Sequence, residues 1–384
     1  MEISKNIKYV GVNDKEIDLF EGQYDVPNGM AYNSYVILDE KIAVMDSVDE
    51  NFAEEWLENV RKVLGDKTPD YLVVQHMEPD HSGSILDFAN AFPNAKIVSS
   101  AKAFAMMKNF FGTDFADRQV VISEGSKLEL GSHKLSFVEA PMVHWPEVVM
   151  TYEESECVLF SADAFGKFGS LDTDEDWACE ARRYYFGIVG KYGLPVQTLL
   201  KKASSLNIKT ICPLHGPVLT ENLSYYLDLY NTWSIYGVES EGVVIAFTSV
   251  YGNTRKAVLK LAEKLEKMGN KVVVNDLARC DMAEAVEDAF RYGKIVFATT
   301  TYNGEIFPFM REFINHLVER NFQNKVVGFI ENGSWAPTAT RVMKSMLEKC
   351  KNLKVAENSV KIMSALSAES ENQLIALAEE INKL

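Results

Sequence analysis

Four potential metal ligands fall within six residues in Gln75-His76-Met77-Glu78-Pro79-Asp80-His81. The stretch follows the apolar run Tyr71-Leu72-Val73-Val74 and precedes Ser82-Gly83-Ser84 and a helical pattern from Ile85 to Ala91. It reads as strand, loop and helix start. In an extended loop alternate side chains share a face, which turns His76, Glu78 and Asp80 one way while His81 leads into the next element. The plainer alternative is a polar loop with Asp80 or Ser82 as a helix cap and solvated histidines. Only six histidines occur in the chain, two of them here, and Pro79 stiffens the segment, so the metal reading is favoured.

A chain of 384 residues is long for one core and suggests two domains. With 47% hydrophobic and 24% charged residues it is globular. A net charge of -16 argues against nucleic acid and anionic membrane as partners, because both would repel it. No apolar run approaches the roughly 20 residues of a membrane helix, and Met1-Glu2-Ile3-Ser4-Lys5 lacks the apolar core of a signal peptide. A cytoplasmic location is expected. Cys157, Cys179, Cys212, Cys280 and Cys350 form no Cys-x-x-Cys pair and read as buried thiols, not as a disulfide framework or iron–sulfur centre.

Further ligand types recur where apolar strands stop. His144 lies in Ala140-Pro141-Met142-Val143-His144-Trp145-Pro146-Glu147, Asp163 follows the strand Cys157-Val158-Leu159-Phe160, and His215 ends Thr210-Ile211-Cys212-Pro213-Leu214 before Gly216-Pro217. Alone, each has an ordinary structural reading: a packed histidine, a turn aspartate, a turn histidine. Together with His76, Glu78, Asp80 and His81 they form a pattern. It resembles the metallo-β-lactamase fold, an αβ/βα sandwich with metal loops along one edge. The hydrolases of that fold show His-x-His-x-Asp-His, whereas this chain has glutamate in place of the second histidine. Four histidines and three carboxylates suit iron better than a nitrogen-dominated zinc site. The stretch Gly29 to Tyr35 reads mainly as strand pairing.

A boundary is expected near Glu239-Ser240-Glu241-Gly242, giving domains 1–240 and 241–384. Val243 to Phe247 reads as a buried parallel strand, followed by Thr248-Ser249-Val250-Tyr251-Gly252-Asn253-Thr254 and a helix from Arg255 to Met268. Hydroxyls and amide N–H groups at a helix start form an anion site. Strands at Lys271–Val274, Lys294–Ala298 and Val326–Ile330 follow, with a fifth near Val360–Ile362. Strands alternating with helices imply a doubly wound parallel sheet, whose ligand lies off the carboxyl ends of the strands. Two polar loops occur at those ends: Thr299-Thr300-Thr301-Tyr302-Asn303-Gly304, and Glu331-Asn332-Gly333-Ser334-Trp335. No Gly-x-Gly-x-x-Gly supports a nicotinamide dinucleotide site. This half resembles flavodoxin. The resemblance implies that Thr248, Ser249, Tyr251, Gly252, Asn253 and Thr254 hold the phosphate of FMN. The loops of Thr300, Thr301, Tyr302, Asn303 and Gly304, and of Asn332, Gly333, Ser334 and Trp335, would flank the isoalloxazine ring. Tyr302 and Trp335 either stack on flavin or are core aromatics.

A metallo-β-lactamase-like half joined to a flavodoxin-like half resembles the flavodiiron protein family, the A-type flavoproteins, over essentially the whole chain. The resemblance implies one iron on His76, Glu78 and His144, a second on Asp80, His81 and His215, and Asp163 bridging them. It implies the minimal two-domain class, since the chain stops at Leu384 without a rubredoxin or flavin reductase extension. It also implies a head-to-tail homodimer or dimer of dimers, which brings the FMN of one chain to the iron pair of the other. The implied activity is an oxidoreductase's: electrons from a rubredoxin-like carrier pass through FMN to the two irons and reduce dioxygen to water, or nitric oxide to nitrous oxide. Tyr184 or Tyr185 would supply a proton, or simply pack. Two rivals are a zinc hydrolase with a flavodoxin-like module and a flavin-only electron carrier.

Overall fold

A computed structural model describes residues 3–384; residues 1 and 2, which open the stretch read above for signal-peptide character, lie outside them. The chain forms two compact units, one running to Asn231 and the other from Thr232 to Leu384. The division falls inside the helix Leu223–Ser234, ahead of the boundary expected at 240/241.

The first unit packs two sheets face to face. One runs in the order Ile7–Tyr9, Tyr35–Ile37, Ala43–Met45, Tyr71–Val73, Lys96–Ser100, Gln119–Ile122, and the last four strands are parallel. The other runs Lys127–Glu129, Lys134–Glu139, Val149–Glu153, Val158–Phe160, Thr210–Cys212, antiparallel until its last pair. Period-two alternation sends Tyr35, Ile37, Met45, Val73 and Val98 from the first sheet against Leu135, Phe137, Val149, Val158 and Phe160 from the second. Val36, Val44, Leu72 and Ile97 are buried on the opposite face, where the crossover helices lie. The helix Ala53–Leu64 turns a buried stripe of Trp56, Leu57, Val60 and Leu64, and Trp56 meets Phe88 of the helix Ile85–Ala91 with ring centroids 5.8 Å apart.

One expectation fails locally. Asp80 does not continue an extended loop, because Pro79–Ser82 is a short helical turn with proline in its first position, and His81 leads out of the loop inside that turn. Four residues are too few to show a helical period. The turn sends Asp80 and His81 away from His76 and Glu78.

The second unit is a parallel sheet in the order Val272–Asp276, Ser240–Phe247, Tyr292–Tyr302, Val326–Asn332, with Val360–Ile362 and a further short strand, Lys354–Val355, both beside the last. Helices Asn253–Lys267 and Ala368–Lys383 share one core with one face of this sheet. On the other face Phe297 meets Phe313 of the helix Pro308–Glu319. The strand from Tyr292 runs past the expected Ala298 to Tyr302, because Thr301 and Tyr302 pair antiparallel with Ile306 and Glu305. Asn303 and Gly304, at φ 52 and 75, make the tight turn, where left-handed backbone favours Asn-Gly.

The cysteines also differ from expectation. Cys212 is buried, whereas Cys157, Cys179, Cys280 and Cys350 are half-buried.

Outside both groups of metal-type side chains, His133 ties three turns of the first unit together. Its Nδ1 lies 2.8 Å from Asp39 Oδ2 and its Nε2 3.1 Å from Glu156 Oε1. Burial opposes the charge on His133, but Glu156 and Asp39 outweigh it and raise its pKa. A raised folded-state pKa contributes stability that is fully present below the unfolded value, roughly 6.5, and is lost as pH rises through the folded value. His133→Gln therefore costs on the order of 1 kcal/mol near pH 6 and less near pH 9. Chemical denaturation at the two pH values measures it, and an equal loss at both would refute the charged clip.

Candidate metal centre and ligand cavity

All seven side chains named from sequence converge at the carboxyl-end edge of the first unit. The segment after Val73 carries His76 and Glu78, the helical turn carries Asp80 and His81, and the segments after Phe160 and Cys212 carry Asp163 and His215. His144 comes from the connection between Lys134–Glu139 and Val149–Glu153. They form two groups, His76, Glu78, His144 and Asp163, and then Asp80, His81 and His215; within each group one ligand atom per residue lies within 4.8 Å of all the others.

Hydrogen bonds fix which ring nitrogens face inward. His76 Nδ1 lies 2.8 Å from Glu147 Oε1, which also accepts from the Met77 N–H. His215 Nδ1 lies 2.8 Å from the Ala31 carbonyl. Carboxylate and carbonyl oxygens only accept, so both Nδ1 atoms carry a proton and Nε2 is the atom that each ring turns toward the centre. His81 Nε2 and His215 Nε2 face each other at 2.9 Å, each 3.2 Å from Asp80 Oδ2. His144 Nε2 lies 3.0 Å from both Glu78 Oε2 and Asp163 Oδ2.

Asp163 divides between the groups. Its Oδ2 lies 3.2 Å from His76 Nε2 and its Oδ1 3.4 Å from His81 Nε2. It is fully buried, and neither oxygen has a hydrogen-bond donor. Both oxygens of Asp80 are equally without donors. A buried carboxylate in this position is costly unless a cation meets it. Burial raises the Asp163 pKa, but His76, His144 and His81 outweigh it and hold it well below the carboxylate range. Conversely, burial opposes charge on His81 and His144, but Asp80 and Asp163 for the first, and Asp163 and Glu78 for the second, lift them to about 10 and about 9. A divalent cation entering each group replaces those protons.

The backbone is shaped to this end. Asn33 Nδ2 donates to the Pro213 and Gly216 carbonyls at 2.9 and 2.8 Å, and Tyr35 Oη to the Pro213 carbonyl at 2.9 Å. Together they hold the His215 segment. Gly216 has φ 76, and a Cβ there would lie 2.7 Å from Lys167 Cγ. Ala162 and Phe165, on either side of Asp163, also have left-handed φ, at 50 and 67. Glu147, Asn33 and the Ala31 carbonyl were not singled out as functional from sequence; Glu147 closes the His144-Trp145-Pro146-Glu147 run, which was its one signal.

In the second unit, loops at the strand carboxyl ends enclose a cavity of about 640 Å³. Ser249, Tyr251, Asn253, Thr254, Thr300, Thr301, Tyr302, Asn303, Gly304, Asn332, Gly333, Ser334 and Trp335 line it, as do Val250, Ala336, Thr338 and Ser364, which sequence did not single out. Thr248 and Gly252 do not line it. The Thr248 hydroxyl turns into the core, 2.6 Å from Thr299 Oγ1, and Gly252 serves as the cap before Asn253–Lys267. Tyr302 is 44% and Trp335 80% exposed, so neither is a core aromatic.

Residues 30–216 match the ODP family beta lactamase, and residues 244–362 match a flavodoxin domain. The whole structure superposes on the rubredoxin oxygen:oxidoreductase of Desulfovibrio gigas with TM-score 0.92 at 25% identity, covering 100% of this chain and 98% of that one. The chain belongs to the flavodiiron protein family. Among curated relatives, the nitric oxide reductase of Moorella thermoacetica is 28% identical over 366 residues, 92% of this chain and 91% of that protein. The anaerobic nitric oxide reductase flavorubredoxin of Escherichia coli O1:K1 is 28% identical over 359 residues, 90% of this chain and 74% of that protein.

A flavodiiron protein uses FMN and two irons, and this chain's residues fit both. The unbonded carboxylate oxygens of Asp80 and Asp163 and the inward Nε2 atoms suit two cations. The start of the Asn253–Lys267 helix beside Ser249 and Thr254 suits a phosphate.

Because Glu147 fixes the tautomer of His76, Glu147→Gln is expected to weaken metal retention by roughly 10- to 100-fold with the fold intact. Chelator competition followed by metal quantification reads this directly, and unchanged retention would remove Glu147 from the centre.

Proposed function

We propose that this oxidoreductase reduces dioxygen to water, using electrons passed through FMN from a small carrier protein such as a rubredoxin. The observation that carries the reading is the division of Asp163 between two groups of inward-facing ligands, with His76, Glu78 and His144 for one iron and Asp80, His81 and His215 for the other. Bound in these sites, FMN would supply electrons one at a time and the two irons would supply the redox chemistry toward a diatomic gas. Dioxygen takes four electrons and four protons to two waters.

The chain's own part is to bind, orient and shield. Glu147 and the Ala31 carbonyl keep the lone pairs of His76 and His215 aimed inward. Phe20 and Tyr184 pack on His215, each with centroids 5.4 Å away, and exclude water there. Of the two tyrosines weighed as proton sources, Tyr184 is the one against the centre; its buried hydroxyl has no hydrogen-bond partner, leaving Oη available to a bound substrate. Tyr185 packs on Tyr230 at 5.2 Å. In the second unit, Ser249, Asn253 and Thr254 would hold the FMN phosphate, and the loops carrying Tyr302 and Trp335 would flank its ring.

Reduction of two nitric oxide molecules to nitrous oxide and water, with two electrons and two protons, is the second reading. It is favoured by the relative named a nitric oxide reductase, which aligns over nine-tenths of both chains. The working form is proposed to be a head-to-tail homodimer, alone or paired again, in the cytoplasm. Among the described residues no helix is long and apolar enough to cross a membrane.

The deciding experiment is anaerobic purification with iron, zinc and FMN quantified, then consumption of each gas with a chemically reduced donor. Two irons and one FMN per chain with fast oxygen loss and no peroxide is the expected result. Faster nitric oxide loss would reverse the order of the two gases, and zinc without gas turnover would return a hydrolase to first place. Sedimentation of the active species tests the dimer, which a working monomer would eliminate.

A further inference from the structure

Beyond the amino ends of the second unit's strands lies a separate cavity of about 350 Å³. Glu241, Lys294, Val326 and Lys354 line it, each at or near the start of a strand. It therefore sits at the opposite end of the sheet from the flavin cavity. Lys325, Asn324, Asn352 and Leu384 complete its walls.

Acidic residues outnumber basic ones in this chain by 55 to 39. Even so, among the described residues none of Lys294, Lys325 and Lys354 has a carboxylate within ion-pair distance. Lys325 is 2% exposed. Its ammonium donates to the Phe290 carbonyl at 2.6 Å and reaches the Gly237 carbonyl at 3.5 Å. Lys294 donates to the Ile381 carbonyl at 2.9 Å. Phe290 and Ile381 end the helices Met282–Arg291 and Ala368–Lys383, so one N–H of each lysine caps a helix carbonyl. Capping accounts for those bonds and not for the charge. A buried ammonium facing only carbonyl dipoles is poorly compensated, and burial lowers Lys325 to about 7 against the pull of Glu239. Glu239 itself is engaged by Trp233 Nε1 at 2.7 Å and by Arg291 at 3.6 Å.

We propose that this cavity is an anion site for a small phosphate group, free or carried on a small organic monoester, held by Lys294, Lys325 and Lys354. Three lysines face two carboxylates, the Glu241 side chain and the Leu384 terminus, with the amides of Asn324 and Asn352 as further donors, and the volume admits a phosphate with a short organic substituent. The site is independent of gas reduction, so it stands or falls apart from the proposed function.

Calorimetric titration of the FMN-loaded full chain at constant ionic strength tests it, since bound FMN keeps added phosphate from the flavin site. Inorganic phosphate and glycerol 3-phosphate are the two probes. Saturable binding of one anion per chain is expected, tighter for the monoester if the physiological source is organic and equal if it is the free ion. Lys354→Gln, at an exposed position, and Lys294→Gln should each weaken binding about tenfold, the effect of losing one charge-assisted contact, with FMN content unchanged. Lys325→Met removes a helix cap, as Lys294→Gln does, so the exposed Lys354 variant carries the test. No saturable heat up to about 10 mM, or wild-type affinity in the Lys294→Gln/Lys354→Gln protein, would overturn the site.

Discussion

Desolvated Asp163 is the constraint on which the first unit depends. A carboxylate with no exposed surface and no hydrogen-bond donor has to be compensated by positive charge on both of its oxygens. Its neighbours supply this only in part, through the protonated imidazoles of His76, His81 and His144. Two cations satisfy the whole set at once. The sandwich serves this demand: parallel strands of both sheets end at one edge, so segments distant in sequence deliver their ligands to one volume, and the left-handed residues Ala162 and Phe165 aim Asp163 between them.

Replacement of an imidazole by Glu78 changes the chemistry more than the shape. Three carboxylates with four histidines place more negative charge on the metals than a histidine-dominated set, which stabilises the oxidised metal and so lets the reduced pair give up electrons readily. Hydrolysis needs no such electron release. The covalent frame is thus shared with metal hydrolases, and one side chain, supported by the burial around it, redirects the site toward redox work.

The converging side chains were legible in the sequence because their residue types are costly to bury and stand where apolar strands stop. What supports them was not. The Ala31 carbonyl that orients His215 carries no residue identity and lies 184 positions away, and Asn33 reaches Pro213 and Gly216 across a similar separation. Asp80 was misread as part of the extended loop because a single helical turn has no period to detect. In the second unit the alternation of strand and helix gave the sheet plainly, yet Thr248 was placed at the ligand and lies instead against Thr299. A hydroxyl at a strand end has two faces open to it, and sequence does not say which one packs. Asn303-Gly304 was read as a polar ligand loop; its conformational preference also makes it a hairpin turn, and the structure uses both properties.

The two units solve opposite electrostatic problems with the same element, the end of a parallel strand. In the first, carboxylates and imidazoles gathered at strand ends call for cations. In the second, the loops at the carboxyl ends present hydroxyls, amides and a helix start, which suit an anionic phosphate without any lysine. Lysines appear instead at the amino ends, where helices finish and their carbonyls point outward. That placement follows the helix dipole, which draws cations to helix carboxyl termini. It also concentrates positive charge at that end, so one doubly wound sheet can hold a neutral-donor phosphate cradle at one end and a lysine-lined cavity at the other.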